Sequence, residues 1–281
     1  MCYALRLFLD AFKNDHVTWL TDEKAFPLLE GNKYIHRILA YNLSSVLQLK
    51  SERFDTILNF EKIPGVCALS DSINAWRRVG FRFDEITGEA QSYDGAERVL
   101  ALSFDLAEKR KNEQYWQQGL MHMLGKEWNG EKYKLGYKPH SKVKFDIGFN
   151  WAVGPKWPNK SWPKQYWQQL EYIMKKDFSI SWQQGLKDIR EYIEWINSCR
   201  LIVTNDSLGL HIAIALGKKI IALFGPTSHK EIYLYGLGVK LLPKVNYSCM
   251  PCLNVVCRSR KNCMYFIDPK KVGHEIRALL D

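Results

Sequence analysis

The stretch Leu201–Thr227, LIVTNDSLGLHIAIALGKKIIALFGPT, constrains the fold of this chain more than any other. Leu201–Thr204 is a short apolar run of the buried-strand type. Asn205, Asp206 and Ser207 follow, all helix-capping residues, and Leu208–Leu216 reads as a helix almost without polar side chains. Gly217 stands where a helix ends, Lys219–Phe224 is a second buried strand, and Gly225-Pro226-Thr227 closes it. Such a strand–turn–helix–strand unit opens its helix N-terminus at the carboxyl end of a parallel strand. Ligands of open α/β sheets bind at that end, and free helix N–H groups favour an anion.

The rest of the chain alternates in the same way. Strands are expected at His16–Leu20, Ile35–Tyr41, Thr56–Phe60 and Val66–Leu69, and helices at Ala4–Lys13, Leu43–Ser51, Ser92–Lys109 and Asn112–Leu124. Gly125–Ser141 is polar, Gly-rich and aperiodic, which places a domain boundary near residue 140, giving domains 1–140 and 141–281. A second series then begins: strand Lys144–Phe149, a loop with three prolines at Gly154–Pro163, helix Lys164–Lys176, strand Ser179–Trp182 and helix Leu186–Asn197. Pro269–Leu280 is a terminal helix. Alternation of this kind argues for parallel sheets with helical crossovers.

An apolar content of 46% with 25% charged residues describes a packed protein, not a disordered one. No run approaches the ~20 apolar residues of a membrane span. Arg6 and Asp10 interrupt the mildly apolar N-terminus, which argues against a secretory signal and for a cytoplasmic protein with reduced cysteines. The net charge of +10 is either a solvated basic surface or the mark of an anionic partner: a nucleotide diphosphate, a phosphorylated glycolipid or an acidic membrane surface. The basic residues are dispersed and match no nucleic-acid motif, so no nucleic acid is expected.

The sequence Asp206-Ser207-x-Gly209-x-His211, followed by ALG and the run ending in ALFGPT, resembles the donor-binding motif of glycosyltransferase family 9, the heptosyltransferase-like enzymes. Lys160-Ser161-Trp162-Pro163 resembles that family's Lys-x-Trp-Pro element, and the cysteines at 249, 252, 257 and 263 resemble a cysteine-rich segment of many members. The likeness extends to Val17–Leu29, Arg53–Phe60 and Lys126–Tyr137. It implies an α/β chain of GT-B fold, two Rossmann-like domains facing a cleft, and a transferase that needs no cofactor. The donor it implies is a nucleotide sugar such as ADP-heptose. The acceptor is an anionic glycolipid or other lipopolysaccharide-type glycan, with peripheral contact at the inner face of the membrane.

Two departures qualify the resemblance. The family opens with a strand and a Gly-Asp loop whose acid lies near the acceptor. Here Met1 falls where the first helix begins, so the N-terminal domain is expected to lack its first strand, with the Asp upstream of Met1. No catalytic residue is therefore assigned, and weak transfer by the chain as written is the expectation. A Gly-Gly-x-x-Glu-type loop of relatives also has no counterpart. Both departures keep a non-catalytic sugar-nucleotide-binding or scaffold protein of the same fold as the alternative.

The candidate site residues each have a plainer reading beside the functional one. Asp206 and Ser207 can simply cap a helix; alternatively Ser207 and the N–H groups of Leu208 and Gly209 hold a phosphate, with Gly209 letting backbone approach closely. Relatives carry Gly directly after the Ser or Thr, where Leu208 stands here. His211 is a structural histidine or a donor to a phosphate or sugar hydroxyl. Lys160 is a solvated loop lysine or a pyrophosphate contact, and Lys156 is a second candidate. Thr227 ends a strand in a turn or sits beside the phosphates or ribose. Cys249, Cys252, Cys257 and Cys263 remain open between a metal site, reduced structural thiols and disulfides.

Overall fold

The computed structural model describes residues 12–185 and 188–281. The helix expected at Ala4–Lys13 lies largely outside them, as does the first part of that expected at Leu186–Asn197. Two compact units are present, meeting in sequence between Glu131 and Lys132.

In the N-terminal unit, β1 (Thr18–Thr21) pairs in parallel with β2 (Arg37–Ala40). The short α1 (Phe26–Leu29) lies between them in sequence, and α2 (Leu43–Ser51) follows, capped by the Asn42 side chain, which accepts from Ser45 N at 2.9 Å. Next come β3 (Arg53–Asn59), α3 (Pro64–Ser72) and β4 (Asn74–Phe83), with β3 and β4 parallel. β5 (Ala90–Ser92) then returns antiparallel to β4. The strand expected at Val66–Leu69 is instead the middle of α3, because Pro64 in the first turn has the fixed φ a helix start requires. The helix expected over Ser92–Lys109 is split into α4 (Glu97–Phe104) and α5 (Leu106–Lys111). Asp105 makes the break: its carboxylate accepts from Ala107 N and Glu108 N and starts a new helix. α6 (Trp116–Met123) completes the unit. β3 is half-exposed or exposed over much of its length.

The C-terminal unit carries the site. Its strands β6 (Phe145–Asn150), β7 (Ile180–Trp182), β8 (Cys199–Asn205), β9 (Lys219–Leu223) and β10 (Gly238–Leu241) form one all-parallel sheet in the order β10-β9-β8-β6-β7. Both faces are covered, which is why these strands read as continuous apolar runs. On one face Ile147, Phe149, Leu201, Val203, Ile221 and Leu223 pack with Trp167, Leu170 and Met174 of α7 (Lys164–Met174). Val272, Ile276 and Leu280 of α10 (Pro269–Leu280) join the same cluster. The alternate strand residues Ile202, Ile220 and Ala222 are equally buried. The strands also contact α8 (Ile189–Asn197) and α9 (Leu208–Ala215), whose Ile193, Ile196, Leu210 and Ile212 are fully buried. α9 ends as its sequence demands, with Gly217 at φ +66° just beyond it. No helix among the described residues is long and apolar enough to cross a membrane.

Residues 132–141, read from sequence as part of the polar boundary, pack on this second unit. Glu194 of α8 accepts from Tyr137 Oη at 2.6 Å, His140 N at 3.0 Å and Ser141 N at 2.8 Å. Burial works to raise the Glu194 carboxyl, but these hydrogen bonds outweigh it and hold it at about 2, against an ordinary 4.5. A carboxyl depressed in the folded state stabilises the protein above its unfolded pKa, and that contribution disappears as pH falls through the folded value. Urea denaturation of the protein and of Glu194→Gln across pH should therefore differ by roughly 1–2 kcal/mol near neutrality. The difference should shrink as pH drops from about 4.5 towards 2. A pH-independent difference would mean that the carboxylate charge plays no part in holding the segment.

Candidate functional site

The order of strands in the five-stranded sheet reverses at β6. Chain leaving β6 crosses to β7 on one side, and chain leaving β7 returns to β8 on the other. A crevice opens at the carboxyl ends of strands flanking such a reversal. Three segments converge there: the loop after β6, the β8–α9 turn, and the turn after β9.

Asn150, the last residue of β6, organises this end. It is fully buried, and its Nδ2 donates to Thr204 Oγ1 at 2.7 Å and Ser207 Oγ at 2.9 Å. Its Oδ1 accepts from Tyr192 Oη of α8 at 2.6 Å. Burial pushes the Tyr192 phenol up, so it remains a donor. Thr204 Oγ1 in turn donates to Asn205 O at 2.8 Å. Ser207 occupies the N-cap position of α9, as its residue type suggests, yet its hydroxyl caps nothing and is turned to Asn150. The helix N-terminus is thus left without a side-chain cap.

Gly209 has a different reason from the one read in sequence. A Cβ there would lie 2.2 Å from Tyr192 Oη and 2.4 Å from Asn150 Nδ2. The space above Gly209 is filled by the Asn150 network. Leu208 beside it is half-buried.

Asp206 is not a cap either. Its Oδ2 and its carbonyl both accept from Lys160 Nζ, at 2.8 and 3.2 Å, and both side chains are about five-sixths buried, at 17% and 16% exposure. Lys160 reaches the pair from the short 3-10 turn Pro158–Lys160, its ammonium 5.3 Å from the Trp157 ring centroid. Burial alone would raise the Asp206 carboxyl. The Lys160 ammonium foremost, with His211 and Thr227, outweighs that and holds it below the ordinary carboxylate value. Thr227 reaches the same place from the turn after β9, and its buried Oγ1 has no hydrogen bond of good geometry. Nor does the Oδ1 of fully buried Asn205, whose Nδ2 donates to Trp151 O at 3.3 Å.

His211 is only 2% exposed. Its Nδ1 lies 3.4 Å from Tyr133 Oη, and the two rings stack at 5.9 Å. It therefore meets the crevice from inside α9, walled by Tyr133, whose other edge meets Tyr235. Lys156 is exposed in the loop after β6. Lys160, Asp206, Ser207, Gly209, His211 and Thr227 are thus brought to one end of the sheet. Asn150, Tyr192 and Tyr133 were missed from sequence. A polar residue closing the apolar run of β6 was the available signal for Asn150; nothing local marks the two tyrosines.

The four tail cysteines are not joined in disulfides, Cys252 and Cys263 being buried and Cys249 and Cys257 half-buried. Burial, together with the neighbouring Cys252, Cys257 and Cys249, raises the Cys263 thiol to about 11. Among the described residues no three His, Cys, Asp or Glu side chains form a group that could hold a metal.

Comparison with known proteins points to one family and one fold. Residues 185–262 match glycosyltransferase family 9 (heptosyltransferase). A 92-residue stretch is 33% identical to lipooligosaccharide heptosyltransferase 2 of Campylobacter jejuni subsp. jejuni serotype O:6, covering 32% of this chain but 29% of that relative's length. Among solved structures, a family 9 glycosyltransferase from Veillonella parvula superposes with a TM-score of 0.67 at 16% identity, covering 99% of this chain and 93% of the other. The ADP-heptose LPS heptosyltransferase II of E. coli superposes with a TM-score of 0.67 at 15% identity, covering 100% and 94%. The GT-B fold expected from the sequence is the fold these structures share with the chain.

The contacts around Gly209 make a direct prediction. Gly209→Ala should destabilise the protein by roughly 1–3 kcal/mol, the range for forcing a methyl group into a filled space. Guanidinium denaturation measures it; an unchanged midpoint would show that Asn150 and Tyr192 can move aside freely.

Proposed function

We propose that this chain, whose residues 185–262 match the model of glycosyltransferase family 9, transfers a heptose-like sugar from a nucleotide-diphosphate donor to a lipopolysaccharide-type glycan. The observation that carries the reading is the Lys160–Asp206 pair set against the uncapped N-terminus of α9, where the strand order reverses. An ammonium has three donors, and Asp206 takes two of Lys160's, through its carboxylate and its carbonyl. The third is available to a diphosphate oxygen. Free amides of the first helical turn supply further donors and a favourable dipole end.

In the reaction the acceptor hydroxyl attacks the anomeric carbon, and the bond from that carbon to the diphosphate oxygen breaks. The electron pair leaves with the diphosphate, where negative charge grows. Fixed donors aimed at that position stabilise the departing group more than the bound donor, which is what accelerates transfer. Asp206 holds Lys160 in place: a buried carboxylate with one strong partner fixes that partner's geometry as firmly as its own. Thr227 and the aromatic wall of Tyr133 and His211 would line the remainder of the donor site. The names of the relatives support the donor and acceptor classes: one is a lipooligosaccharide heptosyltransferase, another an ADP-heptose enzyme.

Thermal shift against ADP-, UDP- and GDP-sugars tests the reading first, because a ligand that binds only the native state raises apparent stability. ADP-heptose should give the largest shift, and mass spectrometry should detect heptose added to a lipooligosaccharide-type acceptor. Absence of a shift with every sugar nucleotide would sink the proposal. Lys160→Ala should weaken donor binding by about 1–3 kcal/mol in calorimetry, the loss of a charge-assisted hydrogen bond. Unchanged affinity would remove Lys160 from the site.

A further inference from the structure

The cysteine-bearing tail contributes something the donor site does not use. Between Glu231 and Asp268 the chain carries no acidic residue, while Lys240, Lys244, Arg258, Arg260 and Lys261 are all basic. Lys240 is turned inward, its Nζ donating to His229 O at 2.7 Å. Arg258, Arg260 and Lys261 are exposed on one short loop. Val255 and Val256, separated from Arg258 by Cys257, are 45% and 67% exposed. Tyr265, also exposed, lies under the Lys261 ammonium at 5.6 Å.

The loop is pinned to the rim of the candidate site. Leu253 N donates to Pro226 O at 2.8 Å, next to Thr227. Asn159, next to Lys160, donates from Nδ2 to Asn254 O at 2.9 Å and from its backbone N to Val255 O at 3.3 Å. Asn262 Nδ2 closes the loop onto Asn159 Oδ1 at 2.6 Å. Asn159 itself is buried. The valines are thus presented to water by a fixed frame rather than by a loose strand.

Two adjacent aliphatic side chains held in water gain nothing from their exposure. An apolar tip flanked by cations and an interfacial tyrosine has the chemistry of a segment that enters the headgroup layer of an acidic bilayer. A soluble anion would engage the arginines but leave the valines unexplained.

We propose that residues 253–261 dock the rim of the donor site on an anionic lipid surface. Val255 and Val256 enter the headgroup region, and Arg258 and Arg260 meet lipid phosphates. The proposal rests on the glycosyltransferase reading only for its purpose: docking would bring the donor to a lipid-carried acceptor.

Co-sedimentation of the full chain with phosphatidylcholine vesicles, with and without phosphatidylglycerol, tests it. Partitioning should be about tenfold or more stronger on the acidic vesicles and fall as salt rises. The double variant R258E/R260E should lose at least about tenfold of that partitioning, and V255D/V256D should lose a comparable share. Calorimetry with ADP-heptose in the absence of vesicles should give the same affinity for both variants as for the unsubstituted chain. Equal partitioning on neutral and acidic vesicles, or wild-type partitioning by both variants, would overturn the proposal. Selective partitioning abolished by both variants in a chain that binds no sugar nucleotide would uphold the docking loop while overturning the transferase reading.

Discussion

The C-terminal site depends on one buried amide. Asn150 ends β6 with no access to solvent, so every polar atom of its side chain must be satisfied by protein. It finds Thr204 at the end of β8, Ser207 at the start of α9 and Tyr192 on α8. One side chain thereby ties two strands to two helices at the point where the sheet changes direction. Two further features follow from it. Ser207 is drawn away from capping α9, which leaves the helix amides facing the crevice. Gly209 must lack a side chain, because Asn150 and Tyr192 occupy its Cβ position.

The Lys160–Asp206 pair sits on that frame. Two charges withdrawn from water offset their desolvation only when the geometry is good and spare donors are used. Here Asp206 offers both a carboxylate oxygen and a carbonyl, and Lys160 still has a donor to give. The pair joins the loop after β6 to the β8–α9 turn, so elements far apart in sequence are held together at one end of the sheet. An anion entering it would meet a preset cation and a helix terminus, without first breaking an internal structure.

Much of this was legible in the sequence for a physical reason. The strands of a sheet covered on both faces must be apolar along their length, and β6, β8 and β9 announce themselves that way. Pro269 and the Asp268 cap mark the last helix to the residue. In the N-terminal unit the same reasoning failed where apolar runs were short. Val66–Leu69 is as apolar as a strand, but Pro64 had already started a helix. Ser92–Lys109 keeps a helical period across Asp105, but the carboxylate captures two backbone amides and divides it.

The sequence by itself determined the α/β class, the strand–turn–helix unit at Leu201–Thr227 and the residue types gathered at the carboxyl end of that strand, because local propensity and hydrophobic period act over a few neighbours. Only the tertiary structure decided what those residues do. Asp206 reads as a cap until Lys160, 46 residues earlier in the chain, is folded against it. Gly209 reads as a ligand-approach glycine until Asn150 and Tyr192 arrive above it. A side chain's role is set by which polar partners its burial leaves within reach, and those partners are brought together by the sheet order rather than by proximity along the chain.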